Sequence, residues 1–265
     1  MSTTTLGVIF GNRDFFPDHL VTAARKEVFS LLDSMEIKPI VIDEEEALLG
    51  SVVTYDHAKL CAALFKKHAD EIDGILVILP NFGDEKGIAD TIKMSGLHVP
   101  ILVQAYPDDL NAFDVVRRRD AYCGKISVCN NLRQYGYPYS LTTLHTSSPT
   151  SDSFKKDLDK FVRVCAVVKG LKGARVGAIG ARPTAFNTVR YSEKLLQASG
   201  ISVTTVDLSE IFGMANKLSD DDQKVKDKLG EIKAYAKHGS VPPPHLFRMA
   251  KLGIVISDWM AENDL

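Results

Sequence analysis

The chain has 265 residues, 45% of them hydrophobic and 25% charged, and a formal net charge of −2 at pH 7. That length accommodates two domains of ordinary size, and the composition is that of a globular chain. The near-neutral balance removes any general electrostatic reason to expect nucleic acid as a partner, and no stretch approaches the roughly 18 apolar residues of a membrane span. The cysteines Cys61, Cys123, Cys129 and Cys165 form no C-x-x-C pair, which argues against structural zinc. The start, "MSTTTLGVIFGNRD", puts a charged loop directly after one short apolar run, unlike a signal peptide. The expectation is a cytoplasmic protein with reduced thiols.

In chain order, "LGVIFG" (6–11) predicts a first strand, followed by an amphipathic helix over about 18–36. "KPIVID" (38–43) predicts the second strand and "YDHAKLCAALFKKHADEI" the next helix. "GILVILP" (74–80), the helical "GDEKGIADTIKMSG" and "PILVQAY" (100–106) continue the alternation. "RRRDAYCGKISVCNNLRQYGYPYS" (117–140) carries a helix from about Tyr122 to Gln134, ending at Gly136, before "YSLTTLH" (139–145). Short apolar runs of this kind need both faces covered, as in a parallel sheet between helices. Residues 1–150 thus predict an α/β domain, a flavodoxin/Rossmann-like doubly wound parallel sheet of five strands.

The polar break "TSSPTSDS" (146–153) ends that unit, and a linking helix over 154–173 leads away, with Asp152 and Ser153 as candidate caps. A second α/β unit over 174–265 opens with "ARVGAIG" (174–180) and continues through "ISVTTVDL", a charged helix (219–238) and a helix after "VPPP". Leu246, Met249, Ala250, Gly253, Ile256 and Met260 recur at helical spacing and predict that helix's buried stripe. Only two clear strands are present in this unit, whereas compact sheets have about four to six. The second domain is therefore expected to be incomplete, with its apolar stripe promoting self-association.

Three loops leave strands at the carboxyl edge, where open α/β sheets bind ligands. In "GNRDFFPD" (11–18), Asn12 and Arg13 could meet a polyhydroxyl or anionic group, with Phe15 or Phe16 as an apolar wall; the alternative is a plain helix entrance near Asp18. In "PNFGDEKG" (80–87), Asn81 and Phe82 could line the same crevice, Gly83 permits the turn, and Asp84 caps a helix. Cys123 and Gly124 fall at a helix N-terminus, where free N–H groups favour anions and thiolates. A nucleophilic thiol needs a base, and His145 is the one nearby in sequence; the alternative is a tight turn of small residues. Arg117–Arg119 is a local run, read as solvated surface or a small-anion contact.

Gly177 and Gly180 give G-x-x-G, not the dinucleotide fingerprint, and Arg182-Pro183 stands where backbone would approach a pyrophosphate. Asp207 could bind a ribose but equally caps "LSEIFGMA". Asp43–Glu46 reads as a solvated helix start. The histidines lack the i, i+4 spacing of a helical metal site.

"VGAIGARPTAFNTVRYSEKLLQASGISVTTVDLSEIF" resembles the opening of the middle domain in the L-fucose isomerase/L-arabinose isomerase-like superfamily. "RRRDAYCGKISVCNNLRQYGYPYS" resembles the last helical unit of that family's N-terminal domain, and "AKLGIVISDWMAENDL" looks like the helix before its catalytic strand. The resemblance implies a homo-oligomeric aldose–ketose isomerase that uses a divalent metal, usually manganese (Mn2+). It also implies that the metal ligands and acid/base residues fall after Leu265, so that this segment alone is inactive and binds no metal. An N-terminal domain in this family can line a neighbouring subunit's active site, a role that would fall to Asn12, Arg13, Asn81 and Phe82 by loop position. The competing reading is a non-catalytic two-lobed sugar-binding module, of periplasmic-receptor or regulator type.

Overall fold

The first apolar run becomes β1 (Thr5–Phe10), buried at every position, and leads into α1 (His19–Ser34) and the edge strand β2 (Lys38–Ile40). α2 (Tyr55–Lys67), β3 (Gly74–Leu79), α3 (Glu85–Ser95) and β4 (Ile101–Ala105) follow. α4 (Ala121–Gln134), β5 (Ser140–Leu141) and α5 (Asp152–Leu171) complete the first unit. This computed structural model describes residues 4–237 and 239–265. The strands form one sheet of order β2-β1-β3-β4-β5, with every neighbouring pair parallel.

The lack of alternation in the strands is explained by two cores. On one face Val8, Leu76 and Leu102 meet Val28 and Leu32 of α1 and Phe154 and Phe161 of α5. On the other, Ile9, Val77 and Val103 meet Phe65 of α2, Ile88 of α3 and Val128 of α4. Each such side chain contributes about 1.5–3 kcal/mol by leaving water. Local signals start the helices: Thr54 accepts from His57 N at 3.3 Å, and Asp84 from Gly87 N at 2.5 Å. At α5 the capping oxygen belongs to Ser151, which accepts from Phe154 N at 3.2 Å, rather than to Asp152 or Ser153.

Two strands are shorter than read from sequence. β2 stops at Ile40 because the chain turns toward Arg25, a buried arginine held by Glu44 and the Gly50 carbonyl, each at 3.0 Å. Asp43–Glu46 is solvated as read, and forms a turn that leads into the one-turn 3-10 helix Leu48–Gly50 rather than the start of an α-helix. β5 stops at Leu141 because the following backbone wraps around a buried lysine, described below.

One compact unit ends at Lys169 and a second begins at Gly170. The second contains β6 (Arg175–Ile179), α6 (Glu193–Ala198), β7 (Ser202–Val206), α7 (Leu208–Lys217), α8 (Gln223–Tyr235) and α9 (Pro243–Glu262). Position 238 of the charged helix lies outside the described residues. β6 and β7 pair in parallel. The stripe read along α9 needs correction, because Met249 and Met260 are exposed. The buried face runs instead through Leu246, Ala250 and Ile254 against α8, and through Val255 and Trp259 against α7 and β7. Aromatic and β-branched residues at the intervening positions outcompete the two methionines for the core.

Candidate functional site

The strand order reverses between β1 and β3, with α1 on one face of the sheet and α3 on the other. The loops after these strands therefore part at a topological switch point, the usual ligand crevice of an open α/β sheet. All three candidate loops leave the carboxyl edge of this one parallel sheet.

Asn12 and Asn81 are fully buried there. The Asn81 amide donates to Asn12 Oδ1 at 2.7 Å, and Asn12 Nδ2 donates to Asp18 Oδ1 at 2.8 Å. Asn12 Oδ1 also accepts from Arg13 N at 3.0 Å, while Asn81 Oδ1 accepts from Gly83 N at 3.1 Å. Each amide thus spends polar capacity on tying one loop to the other, and truncating either strands a buried partner. Gly83 has φ 74°, which makes this turn cheap for glycine and costly for a side chain.

The braced loops present a stacked row. The Arg13 guanidinium lies 4.5 Å from the Phe82 ring centre, and the Phe82 and Phe16 rings are 6.0 Å apart. Phe16 is in turn covered by Arg118, at 4.7 Å. Cation–π contacts of this kind fix the planes of both guanidiniums. Arg13 is half-buried and has no carboxylate partner among the described residues. Phe15 is exposed at the rim with φ 63°, a strained setting for a bulky residue.

Gly124 closes the row from behind. A Cβ added there would overlap the carbonyl group of Phe82, so only glycine lets the β3 loop rest on α4. Cys123, one residue earlier, is exposed. Among the described residues no hydrogen bond joins its thiol to His145, whose ring packs on Tyr122 at 5.3 Å with the planes tilted by 34°. The geometry gives the Cys123-Gly124 pair a packing role through Gly124 and no assembled thiol–base pair.

The arginine run divides its work. Arg117 pairs with Asp114 on the surface. Arg118 joins the aromatic row, and Arg119 donates to the Pro80 carbonyl at 2.8 Å while stacking on Tyr106 at 4.8 Å. Burial and the neighbouring Glu27 carboxylate push the Tyr106 phenol well above its ordinary pKa, so it stays a donor to Glu27. The sequence drew attention to the run without singling out Arg118 or Arg119, because their loop, between β4 and α4, has no periodicity to reveal which side chains turn inward.

Residues 7–172 match the family model for the fucose/sulfoquinovose isomerase N-terminal domain. The chain belongs to that family. The match runs from β1 to the end of α5, so it takes in the sheet, both cores and the crevice of this isomerase domain. No curated protein matches the chain. In the second unit Asp207 caps α7, accepting from Ser209 N at 2.8 Å, which uses the carboxylate a ribose would have needed. No helix among the described residues is long and apolar enough to cross a membrane.

Proposed function

We propose that the complete protein interconverts an aldose and a ketose in a homo-oligomer, and that the crevice at the β1/β3 switch point forms one wall of the sugar site. The observation that carries this reading is the stacked row of Arg13, Phe82, Phe16 and Arg118, set at the ligand edge of a domain matched to sugar isomerases. In it Phe82 offers an apolar face to the sugar's C–H surface, and Arg13 donates to hydroxyls or to an anionic substituent. Asn12 and Asn81 act as positioning residues, and Gly124 allows the loop to sit where it does. Cys123, exposed at the mouth, lines the crevice without chemistry of its own.

Moving hydrogen between adjacent carbons requires a Lewis acid on the two oxygens and a proton shuttle. The divalent ion implied by the resemblance, Mn2+, finds no ligand set here: the described residues contain no group of three or more His, Cys, Asp or Glu side chains able to hold it. No step through the ion is therefore assigned to this chain. Its residues bind, orient and exclude water; the ion and shuttle would come from elsewhere in the complete protein.

The test is an aldose–ketose assay of the complete purified protein with L-fucose and with sulfoquinovose, after chelation and after manganese is restored. Metal-restored turnover of either sugar is the expected result. Tight sugar binding without turnover, unaffected by chelation, would replace this reading with that of a binding module.

A further inference from the structure

A second groove lies on another part of α4, along the β5 edge of the sheet, and its centre is a buried cation. Lys125 is only 4% exposed. Its ammonium donates to Thr142 Oγ1 at 2.6 Å and to the His145 carbonyl at 2.9 Å. The Thr142 hydroxyl is committed in turn, donating to the Leu144 carbonyl at 2.7 Å. Two of the three ammonium protons are thus used on neutral acceptors, and no carboxylate is bonded to it among the described residues. Asp157 favours the charged ammonium only at longer range, and it spends both oxygens on Thr143. Burying an ammonium without a directly bonded carboxylate is costly. Burial pushes its pKa down to about 8, which leaves it charged at neutral pH.

Lys125 lines a cavity of about 370 Å³. Arg133, Asn130, Tyr139 and the adjoining rings of Tyr122 and His145 line it with Lys125, and no lining residue carries a carboxylate. Arg133 is exposed and has no ion-pair partner among the described residues. A buried and an exposed cation, an asparagine and a tyrosine hydroxyl line one concave site that contains no acidic side chain.

We propose that this groove binds a compact oxyanion, a phosphate or a carboxylate carried on a small organic molecule, with Lys125 as the buried anchor and Arg133 as the outer contact. The bound anion takes the third proton of the Lys125 ammonium as a hydrogen bond and supplies the direct counter-charge that Asp157 provides only at longer range. The site is separate from the sugar wall, which uses the face of α4 bearing Gly124.

Titrating the ¹⁵N-labelled protein with inorganic phosphate, with acetate and with sodium chloride at matched ionic strength tests this directly. Saturable amide shifts at Tyr122, Ile126 and Arg133 are expected with phosphate or acetate and not with chloride; which of the two wins identifies the head group. Arg133→Gln, a surface change that leaves the core intact, should weaken binding by roughly tenfold, the ordinary worth of one charge-assisted contact. Lys125→Met should abolish it, and Arg13→Ala should leave it unchanged. Wild-type shifts no larger than those with chloride, or an unchanged dissociation constant in Arg133→Gln, would overturn the proposal.

Discussion

Arg13 and Arg182 occupy equivalent places, each in the loop after the first strand of its α/β unit, yet they do different things. Arg13 stands on the Phe82 ring with its guanidinium uncommitted, because Asn12 and Asn81 bind two neighbouring loops into one shelf. Arg182 donates to the Pro183 and Thr184 carbonyls of its own loop, both at 3.2 Å, and residues 181–192 around it are exposed. The strands beneath differ in the same way: β1 is buried throughout, whereas Arg175, Val176 and Gly177 of β6 are exposed. A guanidinium in a strand-to-helix loop is held uncommitted and oriented when a second loop is braced against its own. Without that brace it satisfies local backbone and offers nothing preorganised.

The largest expected contrast lies in the layers below the loops. Phe65→Ala removes a fully buried ring from the first unit and should cost about 3–5 kcal/mol, whereas Val176→Ala on exposed β6 should stay within about 0.5 kcal/mol. Urea unfolding of the two variants checks this, and equal losses would mean that the two sheets are covered alike. Next in size is the brace itself. Gly124→Ala sets a methyl group against the Phe82 carbonyl and should cost about 1–3 kcal/mol, displacing the β3 loop and Phe82 with it. A thermal melt together with a crystal structure of the variant would show whether the shelf moves.

A pH experiment sharpens the contrast within the first unit. Burial holds the Lys125 ammonium down to about 8 from an ordinary 10.5. Between those values the unfolded chain keeps a proton that the folded chain has shed, so stability should rise with pH across that window. Relative to Lys125→Met the gain should be on the order of 2 kcal/mol, and it should be absent below pH 8. Parallel denaturation curves at pH 7.5 and pH 10 read this difference.

The sheet was legible because its signal is compositional: β1, β3 and β4 are unbroken apolar runs, and only a doubly covered parallel sheet has use for them. The five-stranded α/β architecture expected from residues 1–150 is the one observed, and the family resemblance is supported by the match over residues 7–172. The convergence of the loops was legible too, since parallel strands send their successor loops to one edge. Side-chain direction in those loops was not. Asn12 and Asn81 could equally have faced a ligand, and only the 2.7 Å bond between them shows that they face each other. Arg118 and Lys125 were hidden for the same reason, because their partners, Phe16 and Thr142, are brought to them by tertiary structure alone.

The most direct test of the proposed sugar wall is the kinetics of Arg13→Ala in the purified enzyme, measured beside its melting temperature and beside Asn12→Ala. Arg13 contributes no buried bond beyond its stack on Phe82, so its loss should shift stability by less than about 1 kcal/mol. It should nevertheless lower kcat/KM at least about tenfold, equivalent to roughly 1.4 kcal/mol of transition-state binding. Asn12→Ala should lower both stability and kcat/KM, because the brace and the shelf fail together. Unchanged kcat/KM in Arg13→Ala, with the melting temperature also unchanged, would contradict the assignment of this crevice to the substrate.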